Sequence, residues 1–497
     1  MSARSRSARA VWRARNVRTV GDQGYLAYMI LMVALVMVAP VARAVWLSAT
    51  SAEGVAFLAS ATAPGMAVLM VASLWAGGLL LGRDRGPAVL PPFLTHALAG
   101  SDLPRSDTFR GPVLRSGALV TGLTTIVAGL VAGSLMSQGL AGSLSVVIFT
   151  AVGAMVGIIA TVAWLGGQAF PRAAIPLALG VIALGTVSAL APFLQAFTPW
   201  GWVGLAYPGT GSPYALAALG TVTALLVATV PMLLNRLDGT ELGAQAARWD
   251  SATAHAAGMD FNTAASVYQA RPHRGRRIYA VRPMSGMSVT FLIRDAIGAT
   301  RTPGRFIVGL LAIIGAGALI TLAFAPGAPG WLLGAAAGLI VFAGLGPLTD
   351  GLRHAVNAAS DFPLYGISDE HLLANHLLFP LAIIVIVLVA AVLVCAAIAN
   401  LGAIAPILSS LALGFLSLIT RVSNALKGPL PPALLAPIPT PMGDLGAAIR
   451  LTWALDAVLL TAFAGASAAL LFQTPALLAG MTATLTAVAI SRWRRRR

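Results

Sequence analysis

The sequence predicts an all-α polytopic membrane protein, with about twelve transmembrane helices in two six-helix halves, each half preceded by an interfacial elbow helix. Three observations carry that prediction. Of the 497 residues, 58% are hydrophobic and only 10% charged, against roughly 25% charged in soluble domains. Apolar stretches long enough to cross about 30 Å of hydrocarbon, at about 1.5 Å per residue, recur along the chain. The positive charge is also one-sided. Threaded as alternating spans, the chain puts all of its 32 Lys and Arg residues except Arg43 on one face, which is how positive charge is retained in the cytoplasm during insertion.

The elements follow in order. Around residues 7–20, Ala10, Ala14 and Val17 oppose Arg6, Arg9 and Arg13, a basic amphipathic segment that lies along a membrane surface. Spans are expected at 25–48, 64–82, 113–136, 143–166, 173–194 and 213–235, completing a first half over 1–235. Residues 236–285 carry seven arginines and are too polar to cross, so they read as a cytoplasmic linker. The second elbow, 286–301, is clearer. Val289, Leu292, Ile293, Ala296 and Ile297 form an apolar stripe, while Thr290, Arg294, Gly298 and Arg301 line the other face. Pro303-Gly304 breaks it. Spans at 306–325, 330–347, 373–399, 403–420, 445–472 and 476–491 complete a second half over 286–497. An even number of spans places both Arg-rich ends inside, in a bacterial plasma membrane. Ala42-Arg43-Ala44 after an apolar run imitates a secretory cleavage site, but the long basic region and the Arg in the triplet argue for a retained first span.

Composition also excludes. The net charge of +16 sits in short Arg clusters between apolar stretches, so the partners it implies are membrane lipids, not nucleic acid. Cys395 is the single cysteine, permits no intramolecular disulfide and reads as packing. His371 and His376 are five apart, off the i, i+4 spacing of two ligands on one helix face, and no H-E-x-x-H occurs. No metal or cofactor is therefore expected. No G-x-S-x-G nominates a nucleophile. Lys427 is the only lysine, and no G-x-x-x-x-G-K precedes it. The chain reads as a transport subunit without an ATPase motif of its own, so ATP-driven work would need a partner chain.

The long connections 83–112 and 348–372 are the best functional candidates. The first holds Asp102-Leu103-Pro104-Arg105-Ser106-Asp107-Thr108-Phe109-Arg110. The second holds Asp361-Phe362-Pro363-Leu364-Tyr365-Gly366-Ile367-Ser368 followed by Asp369, Glu370 and His371. Ser106 or Ser368, each followed by acidic residues, is placed to N-cap a short helix suited to docking on another protein. In plan the chain resembles ABC-2-type exporter permeases, particularly actinobacterial ones in which two six-span halves are fused. That resemblance implies separate ATP-binding subunits docking at the two connections, with Arg105, Ser106, Asp107 and Arg110 in the first and Asp361, Tyr365, Asp369 and Glu370 in the second as coupling residues. It also implies export of a lipophilic or amphipathic substrate by alternating access. Acidic residues in the second segment replace arginines in the first, so unequal docking is expected. Whether the chain works alone or as a homodimer stays open.

Within the membrane an ionisable residue is costly, which singles out Asp456; Arg450, six residues earlier, can snorkel to water. Trp200, Trp202 and Tyr207 in the outer connection 196–212 suggest an interfacial anchor or a short re-entrant piece. The alternative is an ion-coupled twelve-helix carrier of the major facilitator kind. The linker between halves and Gly82-Arg83-Asp84-Arg85-Gly86 favour it; the length of the 83–112 connection and the elbow segments weigh against it.

Overall fold

The apolar stretches are helices in the computed structural model, which describes residues 3–15, 19–209, 211–269, 275, 279, 286–358, 366–428, 430–431, 434, 439–440 and 443–495. The chain divides into two compact units, Met1–Ala254 and His255–Arg497.

The first unit opens with α1 (Ala3–Arg15), then a continuous helical stretch made of α2 (Val20–Val33), a π segment (Ala34–Val38) and α3 (Ala39–Thr50). After α4 (Ala52–Leu58) come α5 (Ala63–Asp84), two short helices α6 (Pro92–Ala99) and α7 (Arg105–Thr108), and then α8 (Arg110–Ser137), α9 (Ser143–Ala169) and α10 (Ala174–Leu190). A 3-10 turn (Pro192–Phe197) and α11 (Pro199–Leu205) lead into α12 (Pro213–Asn235) and α13 (Gly239–Ala257). Prolines open several of these helices, as at Pro92, Pro199 and Pro213, positions where the missing N–H has no helical partner to lose. The core forms where α5 and α9 cross. Val68, Ala72, Trp75, Val156 and Ile159 are buried there, and the Trp75 indole donates to the Val156 carbonyl at 3.1 Å. Small residues set the approach. A Cβ on Gly82 would sit 2.1 Å from the Trp164 carbonyl, and one on Gly167 2.0 Å from that of Leu79. Close backbone contact of this kind supplies packing where lipid gives helices no hydrophobic drive to associate.

The second unit begins with α14 (Phe261–Ser266), α15 (Met287–Thr300), α16 (Pro303–Leu322) and α17 (Gly330–Gly344). A 3-10 turn at Pro347–Thr349 precedes α18 (Asp350–Ala358); α19 (Asp369–Ile383) then runs through a π segment (Ile384–Leu388) into α20 (Val389–Ile398). The last helices are α21 (Ile404–Leu426), α22 (Leu445–Ala469) and α23 (Pro475–Arg494), with a two-residue antiparallel pairing of Pro439–Thr440 on Gly443–Asp444 before α22. Ile313, Ile320, Val341, Leu388 and Leu413 form the core. Here α17 and α22 cross on glycines: a Cβ on Gly465 would lie 2.0 Å from the Gly334 carbonyl, and one on Gly338 2.3 Å from that of Thr461.

Nine described helices are long and apolar enough to cross a membrane, or ten if a bent pair, Gly330–Gly344 with Pro347–Ala358, counts as one. The 47° bend of that pair falls at Pro347, which removes a donor and crowds the preceding turn. The expected span 173–194 is interrupted: α10 has 17 residues and stops at Leu190.

The connection 236–285, expected as a linker, contains the helix Gly239–Ala257; its residues as far as Ala254 fall in the first unit, and most of 270–285 lies outside the described residues. In α15, Phe291 and Asp295 pack against α19 and Ala299 is buried. Of the apolar stripe, Ala296 packs against the core of the unit, while Val289 is exposed.

Candidate functional site

In the first unit the 83–112 connection is built into a platform. Phe109, fully buried, packs with Leu98, Leu234, Leu237 and Leu242, so α6, α7 and the start of α13 share one apolar centre. Ser106 does not cap a helix. The N-cap position of α7 is Pro104, and the Ser106 backbone N–H instead donates to Asn235 Oδ1 at 3.0 Å, tying α7 to the end of α12. Arg105 lies beside Asp238 and the Gly239 that opens α13. Asp107 and Arg110 are exposed.

Asp238 caps α13. Its carboxylate accepts from the Thr240 hydroxyl, the Thr240 N–H at 2.6 Å and the Glu241 N–H at 3.2 Å. These bonds, the Thr240 hydroxyl first, hold its carboxyl below the usual range. Further along α13, Gln245 Oε1 accepts from the Gly86 N–H at 3.1 Å and from Gln168 Nε2 at 2.9 Å, while Gln168 Oε1 accepts from the Ala88 N–H at 3.2 Å. The Arg85 guanidinium stands 3.2 Å over the Trp249 ring, and the Arg85 carbonyl takes the Trp164 indole N–H at 2.6 Å. A loop whose buried backbone groups are met by side chains is fixed in shape. Gln168, Gln245 and Trp249 escaped the sequence reading. Their signal was a glutamine at the end of an apolar stretch and a tryptophan in a polar one.

In the second unit, Asp361 and Tyr365 lie outside the described residues. Ser368 caps α19 as expected, accepting from the His371 N–H and meeting His371 Nδ1 at 2.7 Å. The helix it caps is the long α19, not a short docking helix. Asp369 and Glu370 occupy its first turn, where negative charge meets the positive end of the helix dipole.

A buried constellation that sequence reasoning missed lies beside this cap. His376 Nδ1 is 2.6 Å from Asp295 Oδ2, and His376 Nε2 is 3.1 Å from Arg294 Nη1. The two side chains of the pair are 1% and 6% exposed. Arginine can only donate, so a bond from Arg294 makes His376 Nε2 the acceptor and leaves Nδ1 to donate to Asp295. The Phe291 ring lies edge-on to the imidazole at 4.8 Å between centroids. Asp295 had been passed over because it sits among the charges of an elbow that looked polar on that side.

Asp456 does not stand alone. Lys427 Nζ lies 2.7 Å from its Oδ1, Arg492 bonds its Oδ2, and Arg492 Nη1 also donates to Ser423 Oγ at 2.9 Å. The Lys427 ammonium sits 3.9 Å over the Trp453 ring; burial pulls it below the usual lysine range, opposed by Asp456. α21, α22 and α23 are joined at this point. Arg450 turns elsewhere and donates to the Leu434 carbonyl at 2.9 Å. Trp200 and Tyr207, from the 196–212 connection, are buried in the first unit's core, with the Tyr207 hydroxyl donating to the Leu58 carbonyl at 2.8 Å. Among the described residues no group of three or more His, Cys, Asp or Glu side chains is placed to hold a metal.

Long apolar helices packed through glycines define an all-α polytopic membrane protein. The chain belongs to a family of unknown function, DUF6297, whose sequence model matches residues 92–428 and so extends over most of both units. No curated protein and no solved structure matches it.

Proposed function

We propose that the chain is the transmembrane permease subunit of an ATP-driven exporter of the ABC-2 kind, with twelve spans, both termini in the cytoplasm of a bacterial cell, and separate ATPase subunits docking at 83–112 and 348–372. The observation that carries the reading is the platform on 83–112. A partner pushing on it meets a preformed surface: α6 and α7 rest on a sealed apolar centre around Phe109, α13 braces the loop, and Asp107 and Arg110 are left at the surface. A rigid loop of this sort transmits force to α5 and α8, the helices it joins. The amphipathic α15, with Val289 exposed at one end of its apolar stripe, supports a role as an elbow in the membrane surface. Arg105 is better assigned to the platform itself than to the partner, because it lies against Asp238.

The test is co-purification from the native membrane in mild detergent. An ATPase bearing a Walker motif is expected to accompany the chain. The double change Asp107→Arg with Arg110→Glu is expected to release it without altering thermal unfolding. Retention of the ATPase by that variant, or its absence from the wild-type preparation, would count against the assignment.

A second reading, an ion-coupled carrier, is favoured by one observation: the buried Asp295–His376 pair has the make-up of a proton-binding site at a helix that crosses the membrane. Proton-driven uptake by the purified chain alone, lost in His376→Asn, would select this reading over the exporter.

A further inference from the structure

Three guanidinium groups and one carboxylate gather where α16, α18 and α21 approach the bend after α17. Arg305 Nη1 lies 3.0 Å from Asp350 Oδ2, and Arg353 Nη1 lies 4.0 Å from Asp350 Oδ1. Arg421 comes from α21 and is only 8% exposed. One of its terminal nitrogens donates to the Phe342 carbonyl, and the guanidinium stacks 3.8 Å from the centre of the Phe342 ring. Its Nε has no hydrogen-bond partner among the described residues. Arg353 and Asp350 lie within electrostatic reach of Arg421, as Arg305 does of Arg353. Asp295, which packs against Gly351, bonds His376, whose other ring nitrogen meets Arg294, so its charge is set against that of Arg294 and does not offset the cluster.

The charge does not balance. One carboxylate against three guanidiniums leaves two positive charges uncompensated, and arginine does not escape by losing its proton. Like charges held close in a partly desolvated site repel strongly. The cluster is open at Asp350 and Arg353, whose side chains are 42% and 28% exposed. What is missing is an acceptor-only group with several oxygens, reaching in from that side. Guanidinium donors carried by three different helices suit a phosphate better than a single carboxylate. Asp350, holding Arg305 and Arg353 at fixed positions, orients the donors in advance of binding.

We infer that Arg305, Arg353 and Arg421 form a binding site for a phosphate group, supplied by the headgroup of an anionic phospholipid or by free phosphate. In the topology proposed above the site faces the cytoplasmic leaflet, where anionic lipids concentrate. The inference does not depend on which energy source drives transport.

The test uses the full-length chain in neutral detergent micelles at constant ionic strength, titrated separately with phosphatidylglycerol, phosphatidylcholine and inorganic phosphate, with thermal unfolding as the readout. Arg353→Gln is the main variant, Arg305→Gln guards against a folding failure, and Arg172→Gln, an exposed arginine of the other unit, controls for general attraction. Phosphatidylglycerol is expected to raise the unfolding temperature while phosphatidylcholine does not, and Arg353→Gln is expected to weaken the apparent affinity about tenfold. A rise with inorganic phosphate that is likewise lost in Arg353→Gln supports the same site with a soluble ligand. No rise with either anion, or an equal loss in Arg172→Gln, overturns the inference.

Discussion

Asp456 was conspicuous as an acid inside an apolar stretch, yet its two oxygens are taken by Lys427 and Arg492. Its first role is to join three helices. Asp456→Asn leaves two cations facing each other in a partly buried pocket, so a loss of about 3 kcal/mol in detergent unfolding is expected. Lys427→Met in the Asp456→Asn background should recover part of that loss, since it removes one stranded charge. Failure of the second change to help would place the role of Asp456 outside this cluster. Asp238 gives a pH dependence of defined sign. Its folded-state value is lowered by the bonds that cap α13, so the cap is fully present above the unfolded value of about 3.9 and is lost as pH falls through the folded value. Amide exchange over 239–257, corrected for intrinsic rates, should rise below about pH 4, and Asp238→Asn should show that rise already at neutral pH. The partners of Asp456 were not legible in sequence: Lys427 and Asp456 are 29 positions apart, and hydropathy says nothing of which helices meet.

At the level of elements, most helices were legible because twenty apolar residues in a row have few alternatives. What hydropathy could not resolve were interruptions decided by local backbone chemistry. Pro347 bends one stretch, and a 3-10 turn ends another. Helix α13 was hidden for a different reason. Leu242 and Ala246 lie four apart on one face and are buried, but the surrounding excess of polar residues masks so narrow a stripe. The crossing of α17 and α22 yields a sharp expectation. Gly465→Ala puts a methyl group into the Gly334 backbone and should destabilise by about 1–3 kcal/mol through forced separation of the helices. Gly480→Ala on α23, with nothing within 4 Å, should be neutral in the same thermal assay.

For the molecule as a whole, the placement of arginine supports a single-sided charge map that labelling can examine directly. In a Cys395→Ser background, a cysteine at Gln138 is expected to react with an impermeant reagent on intact cells, whereas cysteines at Asp250 and Arg494 should react only after the membrane is opened. Reaction of the Asp250 cysteine from outside would invert the assignment of both connections proposed to meet a partner. The candidate coupling residues divide in this light. Arg105 and Ser106 brace the first platform, Asp107 and Arg110 are exposed, and Asp369 and Glu370 begin a long helix. The resemblance to permease coupling segments had grouped them.

The 17-residue helix α10 carries a consequence for the surrounding lipid. At about 1.5 Å per residue it reaches about 25 Å, short of a hydrocarbon slab of about 30 Å. Were α10 to cross as one of the twelve proposed spans, the acyl chains beside Ala174–Leu190 would compress, or the bulky Phe193 and Phe197 that follow, both highly exposed, would sink beneath the glycerol level to fill the gap. Reconstitution in lipids with progressively longer tails should therefore strain this corner of the first unit before any other, with the unfolding temperature falling as tail length grows.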